Sequence, residues 1–118
     1  MSARDAGEPA VLLVLTTVSS DAEARAVAER LVNGGLAACV NALPGVRSLF
    51  RWKGNVDEAQ EVLLLVKTLE SRLDEVKAAI AEVHPYELPE LVALRAADVE
   101  ERFGRWIAES CGGAQPAG

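Results

Sequence analysis

The stretch from Val46 to Thr68 constrains this chain more than any other. Arg47, Arg51 and Lys53 occupy odd positions there, and Val46, Phe50 and Trp52 occupy even ones. Successive strand side chains point to opposite faces, so this alternation predicts one basic face and one aromatic-aliphatic face. Gly54-Asn55 follows as a two-residue turn signal, since Gly adopts positive φ cheaply and Asn tolerates it. The return arm carries Val62-Leu63-Leu64-Leu65-Val66 without a polar break, which suits a strand buried on both faces. Two arms of about ten residues at ~3.3 Å each reach roughly 30 Å, against a usual strand of about 5–6 residues. A hairpin that long overshoots a small domain, so its far end needs a cover, and another copy of the chain supplies one.

The flanking sequence predicts the rest of the fold. Positions 1–9 are small and polar and read as a flexible arm, residues 10–111 as one domain, and 112–118 as a flexible tail. Ala10 to Thr17 is an apolar run suited to a central strand. Ser20-Asp21-Ala22-Glu23 has capping-box spacing, with Ser as the cap and Glu reaching back. Ala24, Val27, Ala28 and Leu31 then form one helical stripe, which Asn33-Gly34-Gly35 stops. Leu36 to Val40 begins a second strand, interrupted over Asn41–Gly45 because Pro44 has no N–H to donate and Gly45 permits a bulge. After the hairpin, Leu73, Val76, Ile80 and Val83 mark a second helix that Pro85 ends. Leu88 to Leu94 reads as the last strand. Asp98 and Glu101 open a third helix carrying Val99, Phe103, Trp106 and Ile107 on one face. The order β-α-β-β-α-β plus a helix predicts an α/β (α+β) ferredoxin-like sandwich, an antiparallel sheet with helices on one face.

Charge and cysteine usage narrow the function. The 118 residues carry a net charge of −6 and are 50% apolar. An acidic chain argues against nucleic-acid binding, which needs basic surface to displace counterions. Val11 to Leu15 is too short for a membrane span or a signal sequence. The two cysteines, Cys39 and Cys111, form no disulfide framework. A soluble cytoplasmic protein is the expectation.

His84-Pro85-Tyr86-Glu87-Leu88-Pro89-Glu90 holds the single histidine. With Leu36-Ala37-Ala38-Cys39-Val40-Asn41, Pro44-Gly45-Val46, Ser48 to Gly54, Glu61 to Thr68 and Phe103-Gly104-Arg105-Trp106-Ile107, it resembles the CutA family of divalent-cation tolerance proteins. The resemblance runs from about Val11 to Ile107. It implies a ferredoxin-like fold, a homotrimer assembled through the long hairpins, and binding of Cu2+ or another divalent cation, with no organic cofactor. The chain departs from the family where it carries Thr16-Thr17 in place of a cysteine found in some members. It also has Phe50 and Phe103 where others place tyrosine. The first departure removes a soft ligand, the second two hydroxyls.

Candidate metal ligands are His84, as a borderline-soft imidazole, with Glu87 or Glu90 beside it, and Cys39. His84 reads equally as a helix-terminal histidine bonded to a carbonyl, and Cys39 as a buried small hydrophobe. Glu61 and Lys67 lie six residues apart on one arm, hence on one face. With Trp52, Tyr86 and Glu90 they are expected to line a cleft between subunits. No nucleophile–base pair, Gly-rich phosphate loop or multi-histidine cluster is present, so the sequence makes no case for an enzyme. The alternative reading is a regulatory module like the trimeric PII proteins, binding a small anion or metabolite in the subunit cleft and using the basic face of Arg47, Arg51 and Lys53.

Overall fold

A computed structural model describes residues 10–112; positions 1–9 and 113–118, expected as arm and tail, lie outside the described residues. Four strands, β1 (Val11–Val18), β2 (Cys39–Trp52), β3 (Asn55–Leu69) and β4 (Val92–Arg95), form one sheet in the order β2-β3-β1-β4. Every neighbouring pair is antiparallel. The helices are α1 (Asp21–Asn33), α2 (Leu73–Val83) and α3 (Glu101–Ser110), with a 3-10 turn at Glu70–Arg72. This is the ferredoxin-like βαββαβ arrangement with a third helix added.

Local chemistry explains the helix ends. Ser20 caps α1, its side chain accepting the Glu23 N–H at 3.1 Å. Glu23 reaches back one residue further than the motif requires, to the Ser19 N–H at 2.9 Å. The Ser19 hydroxyl, which donates to the same carboxylate, and then that backbone contact hold the Glu23 carboxyl below its ordinary range. At the other end Leu36 N–H bonds the Leu31 carbonyl and Gly35 N–H the Val32 carbonyl, with Gly35 at φ 71°. This is a Schellman close, and it needs the left-handed residue that Gly35 supplies.

Alternation in the central strands puts Leu12, Val14 and Val18 of β1 and Val62, Leu64 and Val66 of β3 into a core with Val27, Leu31, Val76 and Ile80. Full burial of each such side chain contributes about 1.5–3 kcal/mol. The odd residues Leu63, Leu65 and Lys67 are only half-buried, so β3 is not covered equally on both faces. A second cluster, Val11, Ala38, Leu69, Ile107 and Cys111, fixes α3 at one end of the sheet. Arg72 completes that junction by donating to the Cys111 and Gly112 carbonyls at 2.8 and 2.9 Å. Gly112, expected as the start of the tail, is therefore held and buried.

The structure corrects four boundaries. Trp52 pairs with Asn55, so the hairpin turns on Lys53-Gly54, at φ 50° and 85°, rather than on Gly54-Asn55. Lys53 thus belongs to the turn and not to the basic face. The second strand begins at Cys39, and the Pro44-Gly45 interruption is a register shift inside one continuous strand. β4 is only Val92–Arg95, since Pro89 has no N–H to donate and Leu91 packs on the core instead. α3 is capped by Glu100, whose carboxylate accepts the Phe103 N–H at 2.9 Å, and it begins at Glu101.

β1 pairs with β3 only from Val62 to Leu69, so residues 55–61 pair with β2 alone. A two-stranded ribbon therefore projects past the body of the sheet. The longest extent is 46 Å and the radius of gyration 15.3 Å, against roughly 13 Å for a compact domain of this length. Leu49 and Val56 on the ribbon are 72% and 60% exposed.

Candidate functional site

Where the ribbon leaves the sheet, the segment linking α2 to β4 crosses it and leaves a groove of about 990 Å³. Pairing of Val46 with Glu61, Ser48 with Ala59 and Phe50 with Asp57 fixes one wall, because paired residues share a face. The opposite wall is Tyr86 to Val92.

His84 anchors that second wall. It is buried at the end of α2, with its Nε2 2.7 Å from the Thr17 carbonyl oxygen and its Nδ1 accepting the Tyr86 N–H at 3.2 Å. A carbonyl only accepts, so Nε2 carries the proton and Nδ1 the lone pair already used by Tyr86. Neither nitrogen is left for a metal. The arrangement is the carbonyl-bonded histidine that the sequence left open as the alternative to a ligand. The Tyr86 ring meets the His84 ring edge-on at 4.7 Å.

Tyr86 then reaches Glu61, donating its hydroxyl to Oε2 at 2.8 Å. Glu61 is 8% exposed. Burial, then the bond to Glu61 and its negative charge, push the Tyr86 hydroxyl up to about 12. Glu61, Tyr86, Trp52, Glu87 and Glu90 all line the groove, so five expected residues come together.

Three do not. Six strand residues place Lys67 about 20 Å from Glu61; its Nζ lies 5.7 Å from the Phe103 ring of α3 instead. The two residues share a face of β3 without meeting in one chain; the expected cleft lies between subunits. Cys39 sits at the start of β2, half-buried, with its Sγ 3.8 Å from Asn41 Oδ1, opposite Lys67 and far from the groove. His84 stands behind the groove wall with both nitrogens engaged. Among the described residues no three His, Cys, Asp or Glu side chains converge to hold a metal. Among the described residues the nitrogen and sulfur donors that copper favours are thus not assembled, and the groove offers carboxylate oxygens, which suit harder cations.

The groove also contains Asp57, which continuing the period-two pattern back from Glu61 would have located, and Leu88 and Leu91, which strand-like reading of 88–94 hid. Of the basic residues behind the anion reading, none lines the groove among the described residues, though Lys53 stands over the ring of Trp52, which does. Arg47 pairs with Glu58 at 3.4 Å, and Lys53 lies at the turn with its Nζ 5.7 Å from the Trp52 ring.

Fold and groove together define a ferredoxin-like α+β protein with a projecting hairpin and an acidic, aromatic cleft at its root. Residues 12–110 match the family model for the CutA1 divalent ion tolerance protein. The chain is 45% identical over 100 residues to the divalent-cation tolerance protein CutA of Thermus thermophilus, covering 85% of this chain and 97% of that one. It is 34% identical to the corresponding protein of Pectobacterium atrosepticum, covering 81% and 87%. The solved structure of the Thermus thermophilus protein superposes with a TM-score of 0.83 at 44% identity, covering 85% of this chain and 97% of the other. That of CutA from Xylella fastidiosa gives 0.84 at 33% identity, covering 86% and 97%. The chain spans 65% of the homologue from Danio rerio and 54% of the Homo sapiens protein. The chain belongs to the CutA1 divalent ion tolerance family.

Proposed function

We propose that this protein is a homotrimer that binds divalent cations in the response to metal ions, without a catalytic step of its own. The observation that carries this reading is the placement of Glu87 and Glu90, exposed carboxylates at the rim of the groove, beside a ribbon that leaves Leu49 and Val56 uncovered. One protomer supplies too few converging donors, so the donor set is completed where a second copy covers the ribbon. Oxygen ligands from two copies suit a divalent cation; copper, which the family resemblance implies, would draw on the same carboxylates in place of thiolates. Such a site binds with modest affinity and depends on assembly.

Isothermal titration of CuCl2, ZnCl2 and MgCl2 into the parent and into the double variant Glu87→Gln/Glu90→Gln tests this. Saturable binding to the parent and its loss in the double variant are expected. Equal binding by both proteins would remove the rim carboxylates from the site.

A further inference from the structure

We propose that the connection between α1 and β2 is a site of spontaneous covalent modification, in which Asn33 loses its side-chain amide to the backbone nitrogen of Gly34 and becomes aspartate and isoaspartate.

The chain's asparagines are Asn33, Asn41 and Asn55, followed by Gly34, Ala42 and Val56. Attack on an asparagine side chain by the next backbone nitrogen closes a succinimide ring. A side chain on the following residue crowds that ring, and glycine has none. Asn41 and Asn55 are also held in strands, paired with Leu65 and Trp52. Asn33 is the last residue of α1, and both it and Gly34 are exposed. Helix ends fray, so Asn33 is not held as the strand asparagines are.

The attacking nitrogen stands outside the helix ladder. At the ends of α2 and α3 the capping residues His84 and Cys111 still donate to Ile80 and Ile107 carbonyls. Gly34, in the same position after α1, makes no such backbone bond among the described residues. Gly35, Leu36 and Ala37 make the close instead, donating to the carbonyls of Val32 and Leu31. An exposed N–H without an acceptor is open to losing its proton to hydroxide, and its anion is the nucleophile. The close also keeps glycine in place. A Cβ at Gly34 would stand 2.9 Å from the Arg30 carbonyl oxygen and 3.1 Å from its Nη1.

Water is the only co-reactant. The Gly34 nitrogen gives up its proton and bonds to Asn33 Cγ; the Cγ–Nδ2 bond breaks and ammonia leaves with a proton in exchange. Water then opens the ring at Cγ to give aspartate, or at the Asn33 main-chain carbonyl to give isoaspartate. Either product adds negative charge at the C-terminal end of α1, where the helix dipole opposes it. Isoaspartate also lengthens the main chain by a methylene inside the close. Ala38 donates to the Lys67 carbonyl, whereas the ribbon begins at Glu61, so the site lies at the end of the sheet away from the ribbon. The inference is independent of the trimer and of the divalent-cation reading.

The full chain is incubated folded, and in parallel unfolded in guanidinium chloride, over a series of mildly alkaline pH values. Tandem mass spectrometry of the tryptic peptides covering residues 31–47 and 54–67 follows each asparagine. Methylation by protein isoaspartyl methyltransferase with S-adenosylmethionine reads isoaspartate. The folded protein should convert amide to acid at Asn33, faster as pH rises, with Asn41 and Asn55 unchanged. Asn33→Gln should remove the methylation signal. Asn33 left intact in the folded protein overturns the proposal, and its conversion in the unfolded chain alone would show that the last turn of α1 shields it. Conversion of Asn41 or Asn55 at a comparable rate also overturns it, as does a methylation signal that survives Asn33→Gln.

Discussion

Tyr86 donates its hydroxyl to the Glu61 carboxylate at 2.8 Å, tying the α2–β4 segment to the root of the projecting hairpin. Tyr86 is the single tyrosine of the chain, so its ionisation can be followed alone. Its pKa is raised from 10.0 to about 12, first by burial and then by Glu61. A folded-state pKa above the unfolded one favours the protonated fold. That contribution is fully present below pH 10 and is lost as pH rises through about 12. Tyrosinate absorbance should therefore show a midpoint near 12 in the parent and a lower one in Glu61→Gln. A midpoint at the ordinary tyrosine value would mean that the contact is absent in solution.

Removing the hydroxyl alone leaves Glu61 buried without its donor. Tyr86→Phe should lower stability by about 1–3 kcal/mol, the penalty for an unsatisfied buried polar group. Urea unfolding followed by circular dichroism measures it. An unchanged midpoint at the same slope would show Glu61 to be solvated or paired by another group.

Thr16 presents the opposite case. Its Oγ1 is buried with no hydrogen-bond partner among the described residues, and it stands where some family members carry cysteine. Valine has nearly the same shape without the polar atom. Thr16→Val should stabilise the fold by roughly 1 kcal/mol. A destabilised variant would reveal a partner for the hydroxyl, such as a buried water.

His84→Ala should leave the Thr17 carbonyl and the Tyr86 N–H unpartnered, at about 1–3 kcal/mol for each. Copper affinity, measured by calorimetry below the unfolding temperature of the variant, should change little, because both ring nitrogens are engaged in the parent. A collapse of copper binding with the fold intact would restore His84 as a ligand.

Much of this fold was legible because local signals agree with the global one. Ser20, Gly35 and Pro85 mark helix ends by mechanisms that act within a few residues, and all three are found at them. Tyr86 and Glu61, grouped by the sequence in one cleft, are in direct contact across 25 residues of sequence. The misplacements have physical sources. A type I′ turn favours glycine at its second central position, so Gly54 draws the turn onto Lys53. Leu88 to Leu91 reads as part of the strand that follows it, but Pro89 and the core contact of Leu91 hold it as a groove wall. Within one chain Lys67 stands about 20 Å from Glu61 along β3, since period two reports the face of a strand and is silent about position along it; the cleft expected between subunits would draw them from two chains. Cys39 pairs with Lys67 and Lys67 with Leu13, whereas His84 bonds Thr17, so the two stand two strands apart and four residues apart along β1, which no spacing rule encodes.

The hairpin carries the last prediction. Residues 55–61 bond to β2 alone, so the other edge of β3 is unpaired there, and Leu49 and Val56 stand 72% and 60% exposed. Unpaired backbone beside exposed aliphatic side chains invites another chain. A dimer covers one such edge by a two-fold contact, whereas a closed three-fold ring lets every ribbon meet a different neighbour and leaves no open end. Sedimentation equilibrium should return about three times the 12.5 kDa chain mass. Leu49→Glu should lower that mass while circular dichroism stays unchanged, because the side chain is largely uncovered within one chain and, in the proposed trimer, packs against a neighbour. Divalent-cation binding should fall with it, since the rim carboxylates then lack the copy that completes their site. A parent protein that sediments as a stable monomer at micromolar concentration would refute both the trimer and the shared site, while a Leu49→Glu trimer would move the contact to another part of the ribbon.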